Sequence, residues 1–349
     1  MQREADFAVW CKNGWFLALT LLCTLLCGLL SFSVGLLFLV VLALATAMQA
    51  VLLRAGRPVL CLLFLLPALV ITYFVSSPVM LLPVASCTVG ALLLSRASAK
   101  GEKRSTIAAH LLSCYAVALL LALGIALLLM MLGDGERDLF AYLDRTMQET
   151  VDGLTDGFVD SFTRMAEMYE RLEIPVTVPT AEEIRETLLF GAALLPSFFL
   201  VLCMLPAIAA TYLFQLIGLL CNDRRLFTEK NRVYRPGALL AGVYLFALSV
   251  FLFWGDIRQA FCLTCMNYTV FATPVFAFGA LLQAPKVIAF MRRMSIGALD
   301  FTFFLILLIV FLLANMLYAL LIMAAIYAVY ILKSTCFPRK DGGGKHTER

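Results

Sequence analysis

The sequence predicts an all-α polytopic membrane protein of nine or ten membrane segments, with one extracytoplasmic amphipathic helical segment. Three observations carry that expectation. Hydrophobic residues make up 62% of the chain and charged residues only 14%, with a mean hydropathy of +0.95, whereas soluble domains run near a quarter charged. Apolar runs repeatedly reach the ~20 residues that cross a ~30 Å hydrocarbon core as a helix. Backbone polar groups in lipid must be paired within the segment, so these runs are helices, and the short alternating segments of a β-barrel are missing. Finally, one long interruption, residues 133–186, holds fourteen of the twenty-three acidic residues against five arginines. It divides the chain into an amino-terminal membrane half (1–132, five spans), an acidic amphipathic helix and linker (133–186), a carboxyl-terminal membrane half (187–333, four or five segments) and a polar tail (334–349).

Residues 13–53 carry no charge, far longer than a signal-peptide core of ~7–15 residues. They read as an uncleaved hairpin, with Trp10 and Trp15 at the aromatic belt and a turn at Ser31–Ser33. Arg54 and Arg57 close a tight loop around Gly56. The third span is about Pro58–Phe74, and the fourth is about Val79–Leu94. A basic loop with Arg96, Lys100, Lys103 and Arg104 leads to the fifth, about Ile107–Leu132.

Within the acidic segment, apolar residues recur at 140, 143, 147, 151, 154, 158, 162, 165, 169 and 172. Steps of three and four make one helical stripe about nine turns long. The stripe reads either as a helix packed on the membrane or on the protein's own outer face, or as a near-heptad seam for a partner or second copy centred on Phe158 and Phe162. Thr180 and Glu183 form a capping-box pattern. The helix launched there is expected to run from Ala181 to Leu220, kinked at Pro196 and Pro206. Arg224 to Arg235 form another basic loop, followed by spans at about Pro236–Trp254 and Phe261–Phe290. The last apolar stretch, Ala298–Leu332, has Asn315 as its expected break.

The basic clusters at 54–57, 96–104, 224–235 and 286–293 fall on alternate loops. By the positive-inside rule the amino terminus and the tail are cytoplasmic, in the plasma membrane, and residues 133–186 face out.

Catalytic patterns are missing: there is no H-E-x-x-H, no Gly-rich phosphate loop and no G-x-S-x-G. The chain is therefore expected not to be an enzyme and to need no cofactor or metal. Without an ATP-binding motif, ATP-driven activity would need a separate ATPase subunit. The scattered basic residues give no nucleic-acid face. The eleven cysteines mostly sit in apolar runs and read as small hydrophobes, and Cys262-x-x-Cys265 reads as incidental or as a redox pair. Polar residues at membrane depth are more informative, because they face a cavity or a neighbouring helix. The set is His110, Gln215, Asn267, Gln283, Lys286 and Asn315. Asn267 and Gln283 flank Pro274, the pattern of a discontinuous span lining a transport site. The other reading is helix–helix hydrogen bonding.

The second half also resembles a known family. Asn222-Asp-Arg-Arg, Tyr234-Arg-Pro, Leu281-Leu-Gln-Ala-Pro-Lys-Val-Ile and Phe311-Leu-Leu-Ala-Asn-Met-Leu are similar to segments of the YybS-like bacterial membrane proteins, whose function is unknown. Such proteins carry Pro after the Asn of the last hairpin, where this chain has Met316. The first five spans resemble the substrate-binding subunits of energy-coupling-factor transporters. No site residue carries over from either resemblance; the Pro-broken spans and the buried amides themselves point to small-molecule transport or substrate binding, with Gln215, Asn267, Gln283 and Asn315 as candidate lining. The alternative is a non-catalytic envelope scaffold or regulatory partner that binds another membrane protein through the outer helix, at Phe158 and Phe162.

Overall fold

A computed structural model describes residues 14–32, 35–172, 178–220, 236–254, 260–294 and 316–336. Among them every regular element is helical: α1 (Gly14–Leu29), α2 (Leu36–Arg54), α3 (Pro58–Val75), α4 (Leu81–Ala99), α5 (Arg104–Gly133), α6 (Leu139–Glu170), α7 (Ala181–Ala193), α8 (Leu195–Leu220), α9 (Ala238–Trp254), α10 (Ala260–Leu282), α11 (Ala284–Met294) and α12 (Met316–Cys336). Eight of these segments are long and apolar enough to cross a membrane, and α9 is a shorter apolar helix. The chain is an all-α polytopic membrane protein. Asn315 lies outside the described residues.

The helices pack as two cores. The first is built from α1 to α5 together with α8. Its centre is α2, whose Ala43, Ala45, Ala47 and Ala50 are wholly buried. Lipid is as apolar as these helices, so association depends on close packing and interhelical hydrogen bonds, and small residues let backbones approach. At Gly28 of α1 a Cβ would come within 2.5 Å of the Ala68 carbonyl oxygen of α3, so this crossing tolerates no side chain. The second core is formed by α9, α10 and α12 around Tyr244, Phe276 and Tyr327. Helix α8 joins the two, because it also packs against α10.

Tight basic loops close the ends of α2 and α4. Gly56 and Gly101 adopt φ of 76° and 69°, and the residue after each donates back five positions, Arg57 to Leu52 and Glu102 to Ala97. Only a residue without Cβ takes that left-handed turn at no cost. The loops after α2 and α4 and the end of α8 lie at one end of the bundle, called the basic end below. The opposite end carries α6 and α7, an antiparallel hairpin with Val151, Thr155 and Ile184 buried and an Arg185–Asp152 ion pair of 2.9 Å.

The capping box predicted for this hairpin is present, with Thr180 and Glu183 exchanging its reciprocal bonds. Asp138 caps α6 by accepting from Phe140 and Ala141. Two expectations are corrected. Residues 181–220 do not form one kinked helix: the chain turns at Leu194 between α7 and α8, because Pro196 has no N–H to continue the ladder and its ring opposes the preceding turn. Pro274 interrupts nothing, since α10 runs through it. The break comes at Gln283, ahead of Pro285, where the chain turns into α11.

Candidate functional site

The described membrane-depth amides, Gln215, Asn267 and Gln283, do not converge on one cavity. Each of the three sits at a separate helix junction.

Asn267 of α10 lies at the acidic end. Its Nδ2 donates to the Ala193 carbonyl at the end of α7 (3.0 Å) and to Leu263 one turn back (3.1 Å). The buried Ser197 hydroxyl of α8 donates to the Asn267 backbone carbonyl at 2.7 Å and lies against Oδ1. One amide therefore takes up a carbonyl left over where α7 stops and ties it to α10. Gln215 lies toward the basic end of α8. Its Oε1 accepts from Arg104 at the start of α5, whose guanidinium is stacked 4.2 Å from the centre of the Tyr212 ring. Arg104 is only 9% exposed, so the carbonyl dipole and the ring face take the place of water around the cation. Gln283 donates to the Tyr327 hydroxyl of α12 at 2.7 Å, and Gly279, one turn earlier, leaves room for that ring. Lys286 is exposed, and His110 pairs with Glu102 at 3.5 Å.

Two networks that the sequence reading passed over lie in the first core. Gln49 of α2 is fully buried. Its Nε2 donates to Thr24 of α1 (3.1 Å) and to the Cys87 sulfur of α4 (3.6 Å), and its Oε1 accepts from Thr88 (2.7 Å). Beside it the Tyr115 hydroxyl of α5 donates to Thr46 at 2.7 Å. The signal was available, because Gln49 is the one amide between Gly14 and Leu53 of an uncharged run. It stands five positions before Arg54, however, and so reads as an interfacial residue.

A cleft of about 140 Å³ lies between the two cores. It is lined by α5, α8, α9 and α10, and its polar groups are the hydroxyls of Ser105 and Tyr268. None of Gln215, Asn267 and Gln283 lines it. Cys262 and Cys265 are buried and unbridged. Among the described residues no group of three or more His, Cys, Asp or Glu side chains could hold a metal ion.

Helix α6 carries the other predicted surface. Phe158 and Phe162 are stacked with centroids 6.3 Å apart, and Phe158 is 44% exposed. Phe140, Met147, Leu154, Met165, Tyr169 and Leu172 of the predicted stripe are exposed as well. Only Val151 of the stripe is buried, in the seam with α7.

No protein-family model, curated protein or solved structure matches this chain.

Proposed function

We propose that this membrane protein is a non-catalytic docking platform that presents α6 on the outer side of the plasma membrane to a partner with an apolar, basic-flanked face. The single observation that carries the reading is the exposed apolar stripe on a helix outside the lipid-crossing bundle. Seven of its large side chains remain accessible after α7 has packed, a contiguous patch of the kind that marks an interaction site. Charge selects the partner. Between Leu139 and Glu170 the helix bears seven acids and two arginines, which opposes both an anionic lipid surface and a second copy of the same helix, and favours lysines or arginines beside the partner's apolar face.

The test uses the purified protein in nanodiscs of phosphatidylcholine and a synthetic amphipathic Leu/Lys helix, with its Leu/Glu counterpart as control. The Leu/Lys helix should bind, the Leu/Glu helix should not, and Phe158→Asp with Phe162→Asp should weaken binding at least tenfold. The aspartates add negative charge, so a purely electrostatic attraction would strengthen instead. That result, or equal binding of both peptides, overturns the reading.

The cleft between the cores favours a second reading, a lipophilic small molecule bound or transported between the bundles, with any ATPase as a separate subunit. At about 140 Å³ it is smaller than the ~300 Å³ at which drug-sized pockets begin, so occupancy requires the cores to part along α8. Retention of a non-lipid molecule at one copy per chain in native mass spectrometry, lost on Ala272→Phe, would establish it.

A further inference from the structure

A second surface lies on the membrane-facing side of the first core. Helices α4 and α5 leave an open groove of about 580 Å³ between them. Leu82, Val89, Val117 and Leu121 give it apolar walls, and His110, half exposed with a side-chain accessibility of 49%, stands at its basic end with Ser113. From Leu82 to Leu93 on one wall, and from His110 to Leu121 on the other, the groove covers twelve residues, eleven steps of 1.5 Å or ~16 Å. One leaflet of a ~30 Å hydrocarbon core is ~15 Å deep. Leu93 lies three residues, or ~5 Å, from Arg96 along α4, and Leu82 is the second residue of that helix, so the groove opens near the basic-end interface and runs past the midplane along a line that one extended acyl chain can follow.

Its mouth is charged. The last turn of α4 and the loop after it bring Arg96, Lys100 and Lys103 to the surface, all exposed. Arg104 is not part of this set, because it turns inward onto Tyr212 and Gln215. The loop's one acid, Glu102, is engaged with His110, which leaves a net positive rim. His110 lies six residues into α5, ~9 Å from its start, at the end of the groove that faces this rim.

We propose that the α4–α5 groove holds one acyl chain of an anionic phospholipid from the leaflet at the basic end, its phosphate held by Arg96, Lys100 and Lys103. A zwitterionic lipid would fill the same walls and gain less at the rim, since each basic side chain near an anionic headgroup contributes about fivefold in affinity.

The test is native mass spectrometry of the full chain released from nanodiscs of equal parts phosphatidylglycerol and phosphatidylcholine. Wild type should retain one phosphatidylglycerol in at least tenfold preference. The triple variant Arg96→Gln, Lys100→Gln, Lys103→Gln should keep a lipid but lose the preference. Val89→Trp with Val117→Trp should lose the retained lipid altogether. Both valines are more than half exposed, at 51% and 55%, so tryptophans there fill the groove without entering the core, and an unchanged circular dichroism spectrum verifies it. Equal retention of the two lipids by wild type overturns the proposal, as does undiminished retention in the double tryptophan variant. Added oleate that displaces phosphatidylglycerol at equal concentration would overturn the phospholipid assignment in favour of a free fatty acid.

Discussion

Replacing Gln49 with leucine should destabilise the first core by about 1.5–2 kcal/mol. The amide is wholly buried on α2 and makes three side-chain bonds, to Thr24, Cys87 and Thr88, at 3.1, 3.6 and 2.7 Å. Interhelical hydrogen bonds in membranes average ~0.6 kcal/mol with a maximum near ~1.7, and the long bond to sulfur falls at the low end. The loss stays modest because leucine strands little. The Thr24 hydroxyl keeps its own bond to the Thr20 carbonyl at 2.8 Å, and Thr88 can turn back to its own helix, as threonines in helices do. Volume is nearly conserved, so no cavity is added. At ~1.4 kcal/mol per decade, the folded-to-unfolded ratio should fall about tenfold to thirtyfold. Reversible unfolding in mixed micelles with increasing sodium dodecyl sulfate, followed by circular dichroism, measures that ratio. A Gln49→Leu protein as stable as wild type would show that the three bonds are matched by equivalent partners in the unfolded helices, and the argument from the network would fail.

Four further outcomes follow from the same geometry. Gly279→Ala places a methyl group against the fully buried Tyr327 ring, which Gln283 and Tyr330 hold in place, and should cost ~1–3 kcal/mol by overpacking; Gly153→Ala on α6, where nothing lies within 4 Å, should be neutral or stabilising by up to ~1 kcal/mol. Gln215→Leu should cost more than Arg104→Met, by ~1–3 kcal/mol, because the first leaves a buried guanidinium with only the Tyr212 face whereas the second removes the charge itself; equal losses in a thermal melt would sink this account. Desolvation, and then the neighbouring Asp134 carboxylate, hold the Tyr142 hydroxyl above its ordinary value near 10. The fold thus favours the protonated phenol, and its contribution is complete below pH ~10 and lost as pH rises through the raised value. Phenolate absorbance should titrate late in wild type and earlier in Asp134→Asn, and coincident curves would contradict the assignment. Asn267→Leu should raise amide exchange across residues 181–193 several-fold while leaving residues 36–54 unchanged; uniform exchange in both variant and wild type would show that Asn267 does not hold α7.

Much of this architecture is legible in the sequence because each apolar run is bounded by something that lipid or a helix does not accept. Arg54 and Arg57 bracket Gly56, and Ser76-Ser77-Pro78 separates α3 from α4. The stripe from Phe140 to Leu172 and the Thr180/Glu183 box are short-range patterns whose physics is complete within a few turns. Partnering is different. Helix α8 follows the acidic segment in the chain yet packs against α2 in the first core, a choice made by shape and small residues across more than a hundred positions. Depth is equally hidden. Gln49 stands near a charged loop in sequence but at the centre of a junction in space, because α2 is surrounded by other helices rather than by lipid. The prolines misled for a local reason. Pro274 removes one backbone bond from a helix otherwise held by packing on both sides, whereas Pro196 and Pro285 each follow a residue at which the helix breaks, Leu194 and Gln283.

The amides share one physical role, and it gives α8 its place in the molecule. Burying apolar surface gains nothing between helices already in lipid, so a junction is specified by polar groups that would otherwise lack partners there. Helix α8 carries such a group near each end. Ser197 binds Asn267 of the second core at the acidic end, while Gln215 binds Arg104 of the first core toward the basic end. The apolar cleft lies between these two attachments, with Met204 and Ile208 of α8 in its wall. A displacement of the second core relative to the first therefore bends or tilts α8 rather than sliding it. Asn267 also holds the last turn of α7 through Ala193, so the same displacement moves the foot of the α6–α7 hairpin.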